Sequence, residues 1–120
     1  MLVFKLLTAE EAASLAADGR FEGSPADLAD GFVHLSTAEQ VPGTAHRHFA
    51  GRGPLTLLAL EAGPLGEALR WERSRGGALF PHLYRPLEAA DIAWQEPYAP
   101  ADGTWPVPEA RETDQRAGGR

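Results

Sequence analysis

The chain contains no cysteine among its 120 residues. Disulfides, thiolate catalysis and cysteine-bound metal centres are therefore excluded. Only one of the eleven cationic residues is a lysine, Lys5, and the formal net charge is −6. A protein of this charge lacks the broad cationic surface that extended nucleic acid or an anionic membrane surface requires. The sequence thus excludes these two classes of partner but permits a small anionic ligand at one place.

Long apolar runs are also missing. No segment approaches the roughly 18 apolar residues that a membrane span needs, and residues 1–7 lack the basic region and cleavage site of a signal peptide. We therefore expect a cytoplasmic protein. A hydrophobic share of 43% with 23% charged residues is typical of a folded domain. We predict one globular domain over residues 1–98 and a disordered tail, rich in proline, glycine and charge, over residues 99–120.

Helix signals concentrate in the first half of the chain and strand signals in the second. Thr8 and Glu11 fit a capping box for a helix that Gly19 ends, and Ser24 precedes a second helix. A third helix is expected over residues 44–50, after the interruption by proline and glycine. Apolar or alternating segments predict strands over residues 2–7, 32–36, 55–61, 69–73, 80–84 and 91–96.

This order of elements predicts an α+β fold. We expect a small, mostly antiparallel, split β-sheet of about five to six strands, with two to three helices mainly in the N-terminal half. The most apolar segment, residues 55–61, is the best candidate for the central strand.

Two predicted strands repeat the same order of side chains at alternate positions. An aromatic residue, a histidine and a hydroxyl-bearing residue occur as Phe32, His34 and Ser36, and again as Phe80, His82 and Tyr84. Alternate residues of a strand share one face, so each strand presents all three groups together. Either motif alone fits a half-buried histidine bonded to backbone, whereas the repetition favours a shared pocket. No HExxH or comparable spacing is present, so no metal site is predicted.

A second cluster surrounds one carboxylate with arginines. Arg70, Arg73 and Arg75 flank Glu72, and two glycines follow at residues 76–77. Arginine forks and exposed backbone N–H groups are typical of phosphate sites. A solvent-exposed hairpin turn with paired charges explains the same residues, and both interpretations stay open here.

Several segments together resemble one protein family. They are DGFVHLST at residues 30–37, QV at 40–41, HF at 48–49, LRWE at 69–72 and FPHLYRPL at 80–87. This combination is similar to the small bacterial proteins called domain of unknown function 952, over about residues 2–97. Members of that family look like remote relatives of the ADP-ribosyltransferase fold, a small split sheet that binds NAD in a cleft. The resemblance therefore implies an ADP-ribosyltransferase-like fold, with NAD as the candidate substrate and no certain cofactor.

The resemblance also implies residue roles. In that fold a strand histidine holds the ribose beside the nicotinamide, an aromatic residue stacks on the nicotinamide, and a glutamate assists transfer. His34 matches the first role, and Tyr84 or Phe80 the second. The usual glutamate follows the aromatic strand, whereas Glu72 precedes it, so the third role falls to Glu72 or to His82. The related RNA 2′-phosphotransferases use arginine and histidine instead of the acid.

These observations define the predicted site. The predicted catalytic residues are His34, Glu72 and His82. The predicted ligand-binding residues are Ser36, Thr37, Arg70, Arg73, Arg75, Phe80 and Tyr84. The predicted function is binding of an NAD-like or phosphorylated ribose ligand between His34 and His82 by a monomer, with ADP-ribosyl or phosphoryl transfer as the reaction. The alternative is a non-catalytic ligand- or protein-binding module in which the histidine motifs are recognition or structural residues.

Overall fold

Residues 1–109 are described by the computed structural model, and they form an α+β fold with three antiparallel sheets. The strands are β1 (Leu2–Thr8), β2 (Arg20–Phe21), β3 (Val33–His34), β4 (Leu55–Glu61), β5 (Leu69–Arg73), β6 (Leu79–Leu83), β7 (Leu87–Glu88) and β8 (Ile92–Tyr98). The α-helices are α1 (Ala9–Asp18), α2 (Pro25–Asp30), α3 (Val41–Phe49) and α4 (Ala62–Leu65). Of the tail predicted over residues 99–120, positions 110–120 lie outside the described residues.

The first sheet has the order β1-β4-β8, with β4 in the centre as predicted. Strand β4 reads LTLLALE, and it is buried along most of its length because it is covered on both faces. One face packs against α1 and the other against α3, so the sheet separates two apolar clusters. The apolar residues of the sequence thus build two core layers on one sheet.

The second sheet, β3-β6-β5, carries the two histidine motifs. It is joined to the first sheet at an isolated bridge between Phe4 and Ser36, whose backbones exchange two hydrogen bonds of 2.8 and 2.9 Å. Leu35 between these sheets donates its N–H to Pro81 O at 3.0 Å. The chain therefore crosses from one sheet to the other just after His34.

The third sheet pairs β2 with β7 through only two residues of each strand. Neither strand was predicted, because a two-residue strand is too short to show a period of two. The fold-class prediction of α+β with mostly antiparallel pairing is confirmed. The predicted element numbers are wrong, since residues 1–109 contain eight strands and four α-helices.

Helix ends follow the capping residues closely. Thr8 and Glu11 form the predicted capping box of α1, and Gly19 ends the helix in the left-handed conformation. The prediction that the third helix begins only at residue 44 is wrong, because α3 already starts at Val41. Pro42 lies in the first turn, where its missing N–H costs no helical hydrogen bond.

Beyond β8 the chain folds back on the first sheet. Trp105 stacks on Tyr98 with ring centroids 5.4 Å apart, and the Tyr98 hydroxyl donates to Pro106 O. Trp105 packs against the cluster that contains Tyr98 and Phe4. No helix within residues 1–109 is long and apolar enough to cross a membrane.

Candidate functional site

The register of the second sheet gathers both histidine motifs on one face. His34 on β3 lies opposite His82 on the central strand β6. On the other side of β6, Arg70 lies opposite His82 and Glu72 lies opposite Phe80. Residues directly opposite each other point to the same side of a sheet. We call the surface formed by Phe32, His34, Arg70, Glu72, Phe80, His82 and Tyr84 the histidine face.

The opposite side of this sheet is apolar and fixes which way the histidine face points. Val33, Leu35 and Leu83 are buried in the core cluster between the sheets. Because side chains alternate along a strand, burying these three residues turns both histidines away from the core. The hydrophobic pattern of two short strands therefore sets the orientation of the site.

Glu72 on β5 bonds to two residues of the second motif. Its Oε1 atom lies 2.7 Å from His82 Nδ1 and accepts a hydrogen bond of 2.7 Å from the Tyr84 hydroxyl. The hydrogen bond with His82, followed by that from Tyr84, holds the pKa of Glu72 below its ordinary value. The hydrogen bond between Tyr84 and Glu72 raises the pKa of Tyr84 above its ordinary value. Glu72 is thus an ionised carboxylate with one oxygen already engaged.

An aromatic ring holds His82 in place. Phe32 stacks on the His82 imidazole with centroids 3.9 Å apart and an interplanar angle of 22°. The same ring lies 4.6 Å from His34 and 5.2 Å from Tyr84. The two imidazoles are 5.7 Å apart and meet edge to face. Phe32 therefore sits at the centre of the aromatic part of the histidine face.

Arg70 covers the outer side of this cluster. Its guanidinium carbon lies 4.7 Å from the centroid of the Tyr84 ring. An arginine stacked on an aromatic ring keeps its N–H groups in the guanidinium plane, where they can still donate to an anion. The cation is therefore positioned beside Glu72 and His82 rather than paired away from them.

Asp27 holds His34 through both its backbone N–H and its ring Nδ1. Its carboxylate accepts hydrogen bonds from His34 N at 3.0 Å, from Ser24 N at 2.9 Å and from Lys5 Nζ at 3.0 Å, and its Oδ1 lies 2.6 Å from His34 Nδ1. Ser24 and Asp27 form the capping box of α2, so the helix start itself aims the carboxylate. At Gly23, a Cβ would lie 2.7 Å from Asp27 Cβ, and only glycine allows this approach.

Lys5 completes this buried network. Its ammonium donates to Asp27 Oδ2 and to His34 O, both at 3.0 Å. The Lys5 and Asp27 side chains are only 7% and 1% exposed. Burial raises the pKa of Asp27, but the hydrogen bond from His34 and the charge of Lys5 outweigh it and bring that pKa well below its ordinary value. A buried ion pair between Lys5 and Asp27 therefore contacts His34.

The outer nitrogen of His34 meets a second carboxylate. His34 Nε2 lies 2.9 Å from Oδ2 of Asp30, which is the last residue of α2 and is 55% exposed. With Asp27 at Nδ1, both ring nitrogens of His34 face carboxylate oxygens. The two histidines therefore differ: His34 is engaged at both nitrogens and His82 at one.

Ser36, Thr37 and Arg73, which are also predicted to bind a ligand, make their hydrogen bonds outside the histidine face. Ser36 is buried and its hydroxyl lies 3.1 Å from the Thr44 hydroxyl, while Thr37 caps the 3-10 turn that precedes α3. Arg73 donates to Gly77 O across the β5–β6 turn. The side chain of Arg75 lies outside what the structure describes.

Sequence reasoning missed Lys5, Asp27 and Asp30 as parts of the site. Lys5 gave a usable signal, because it is the single lysine of the chain and stands in an otherwise apolar strand. Asp27 and Asp30 gave no comparable signal, because acidic residues are common near helix starts and turns. Within residues 1–109, no group of three or more histidine, aspartate or glutamate side chains is arranged to hold a metal.

The lowered pKa of Asp27 predicts a dependence of stability on pH. A carboxyl group whose folded pKa is depressed stabilises the protein above its unfolded pKa of about 3.9, and this contribution is lost as pH falls. We expect the difference in free energy of unfolding between wild type and Asp27→Asn to shrink by up to about 1.4 kcal/mol per pH unit below about pH 3.9. Urea denaturation at pH 5 and pH 3 measures it, and an unchanged difference would contradict the assignment.

The sequence also matches a known protein family. The sequence profile of a family described as "Protein of unknown function (DUF952)" matches residues 6–95. The match covers most of the chain, and the chain belongs to this family. None of the curated proteins matches it.

Solved structures of one bacterial protein resemble this chain. The chain is similar to protein CC0527 from Caulobacter crescentus, whose crystal structure has 50% sequence identity and a TM-score of 0.82 over 88% of this chain and 93% of that chain. The solution NMR structure of CC0527 gives 50% identity and a TM-score of 0.77 over 88% of this chain and 90% of that chain. The architecture described here is therefore shared with a bacterial relative.

Proposed function

We propose that the histidine face binds an NAD-like or phosphorylated ribose ligand, and that the protein is a monomeric ADP-ribosyl or phosphoryl transferase with an ADP-ribosyltransferase-like fold. The observation that carries the proposal is the convergence of His34 and His82, with centroids 5.7 Å apart, beside the Glu72 carboxylate. An arginine can bind a phosphate, and imidazoles and a carboxylate can accept hydrogen bonds from ribose hydroxyls. The split arrangement of two antiparallel sheets joined near His34 agrees with this fold.

The chemistry of nicotinamide release fits these groups. Breaking the nicotinamide–ribose bond develops positive charge on the sugar, and a fixed carboxylate nearby stabilises that charge without forming a bond. Glu72 is ionised and held by His82 and Tyr84, so it does not need to reorganise during the reaction. In this proposal His34 orients the ribose, which is a contribution of position and not of reactivity.

Anion binding in this proposal begins with Arg70. It is exposed, lies on the histidine face and stacks on Tyr84. Guanidinium groups bind phosphate through paired N–H donors, so Arg70 can hold one phosphate of the ligand beside His82. We extend the proposed anion site to Arg73 and Arg75, which follow on the same hairpin.

A non-catalytic binding module is the second candidate. The hydrogen bonds of His34 favour it, because both ring nitrogens already face Asp27 and Asp30. A histidine engaged in this way recognises a ligand through its ring face and is poorly placed to exchange protons with it. Binding without turnover of NAD identifies this alternative.

Calorimetric titration tests binding with three probes, namely NAD, ADP-ribose and an RNA oligonucleotide with a 2′-phosphorylated end. We expect at least one probe to bind, and Arg70→Gln to weaken it about tenfold, because a charge-assisted hydrogen bond is lost. Arg47→Gln is the matched control, since Arg47 is an exposed arginine on α3 outside the histidine face. Its affinity should equal that of the wild type.

The negative result is equally clear. Absence of binding for all three probes at millimolar concentration overturns the proposed function. Equal losses in Arg70→Gln and Arg47→Gln would show that the anion contact is nonspecific, and would remove Arg70 from the site.

A further inference from the structure

Two carboxylate–histidine pairs lie side by side in this sheet, and they differ in one respect. Asp27 and Asp30 face both nitrogens of His34. Glu72 faces only Nδ1 of His82, and Nε2 of His82 has no hydrogen-bond partner among residues 1–109. The second pair therefore leaves one ring nitrogen without a hydrogen-bond partner among residues 1–109.

The protonation of His82 follows from its partner. Glu72 Oε1 lies 2.7 Å from Nδ1 and is the atom that accepts the proton of that nitrogen, because an ionised carboxylate can only accept. A neutral imidazole carries a single proton, so placing it on Nδ1 leaves a lone pair on Nε2. The open nitrogen is then an acceptor and not a donor.

The ring is held so that this nitrogen keeps its direction. Phe32 stacks on one face of the imidazole at 3.9 Å, and His34 meets it edge to face at 5.7 Å. The His82 side chain is 6% exposed, whereas Glu72 is 37% exposed and Oε1 already receives a second hydrogen bond from Tyr84. His82 Nε2 is thus an unoccupied acceptor, and the hydrogen bond from His82 Nδ1 to Glu72 Oε1 orients it.

We infer that His82 Nε2 is the acceptor for a ligand hydroxyl, that Glu72 is its positioning residue, and that the ligand carries this hydroxyl next to a phosphate. The inference rests on the proposed function for the location of the ligand. It gives His82 a direct contact with the ligand hydroxyl, beside the charge stabilisation that the proposed function assigns to Glu72.

The neighbouring cation defines the ligand class. Arg70 is directly opposite His82 in the β5–β6 ladder, and side chains at such positions start about 5 Å apart. A hydroxyl bound at His82 and a phosphate bound at Arg70 must therefore belong to adjacent parts of one molecule. A phosphorylated ribose has this arrangement, whereas a free base or an isolated phosphate lacks one of the two groups.

Nitrogen NMR of the free protein tests the protonation without any ligand. In the neutral form of the ring, we expect His82 to carry its proton on Nδ1 and to show an unprotonated Nε2. Glu72→Ala should lose this preference, because the acceptor of the Nδ1 proton is gone. Tyr84→Phe is the matched control, since it removes the other hydrogen bond to the same oxygen and should leave the tautomer of His82 unchanged. A proton on Nε2 in the wild type overturns the inference.

Calorimetry with ribose 5-phosphate and inorganic phosphate tests the ligand class, because only the sugar phosphate carries an alcohol hydroxyl beside its phosphate. We expect the wild type to bind ribose 5-phosphate about tenfold more tightly than inorganic phosphate, and Glu72→Ala to lose this advantage. Equal affinities in the wild type, or an advantage that survives in the variant, overturn the inference. If neither probe binds, the inferred ligand class is wrong, whereas the proposed function fails only when NAD, ADP-ribose and the 2′-phosphorylated RNA all fail to bind.

Discussion

Replacing Asp27 with asparagine is expected to lower the free energy of unfolding by about 3 to 5 kcal/mol, because one partner of a buried ion pair is removed. Lys5 would keep its charge in a site that is 7% exposed, with only the neutral oxygen of His34 and the new amide around it. The His34 backbone and side chain would also lose their charged acceptor. Chemical denaturation of the full chain at pH 7 measures the change.

Asp30→Asn is the matched control for this experiment. Asp30 is bonded to the same histidine but is 55% exposed, and exposed ion pairs contribute only about 0 to 1 kcal/mol. A similar loss in the two variants would show that the buried pair with Lys5 adds nothing. In that case the buried contacts of Asp27 with Lys5 and His34 would stabilise the protein no more than the exposed contact between Asp30 and His34.

Replacing Phe4 with alanine is expected to cost about 3 to 5 kcal/mol, the usual loss for a fully buried aromatic side chain. Phe4 is 1% exposed, meets the Trp94 ring edge on at 5.9 Å and lies in the cluster between the first sheet and α3. Its backbone pairs with Ser36 and so connects the histidine-bearing chain to the first sheet. Loss of this side chain should loosen that connection as well as the core.

Phe80→Ala provides the comparison for the aromatic core. Phe80 is half-buried on the histidine face and belongs to neither core cluster. We expect its removal to cost less than half as much as removal of Phe4, as measured by denaturation under the same conditions. Equal costs would mean that the histidine face is part of the hydrophobic core and would weaken its assignment as a binding surface.

Local signals in the sequence predicted several elements closely. The capping residues Thr8 and Glu11 and the stop at Gly19 are the observed ends of α1, and the apolar segment Leu55–Glu61 is strand β4 with its observed bounds. These features depend on neighbouring residues, so a short window contains their physical cause. The two-residue strands β2 and β7 depend instead on a partner more than sixty positions away, and no local window contains it.

The candidate site shows the same division. The alternation around His34 and His82 predicted that each histidine shares a face with aromatic and hydroxyl groups, and Glu72 was already assigned to the same site. The alternation failed at Ser36, because the chain leaves the second sheet there and the hydroxyl meets Thr44. A period of two holds only while the strand continues.

What the sequence determined by itself is the fold class, the family and the set of chemical groups, because these follow from composition, periodicity and short motifs. Only the tertiary structure decided which groups act together. Asp27 and His34 lie 22 and 29 positions after Lys5 in the sequence, yet the three residues form one buried network. Pairing of β3 with β6 then placed His82 beside His34 and left a single ring nitrogen open. Contacts between distant segments depend on packing of the whole chain, which no individual motif encodes.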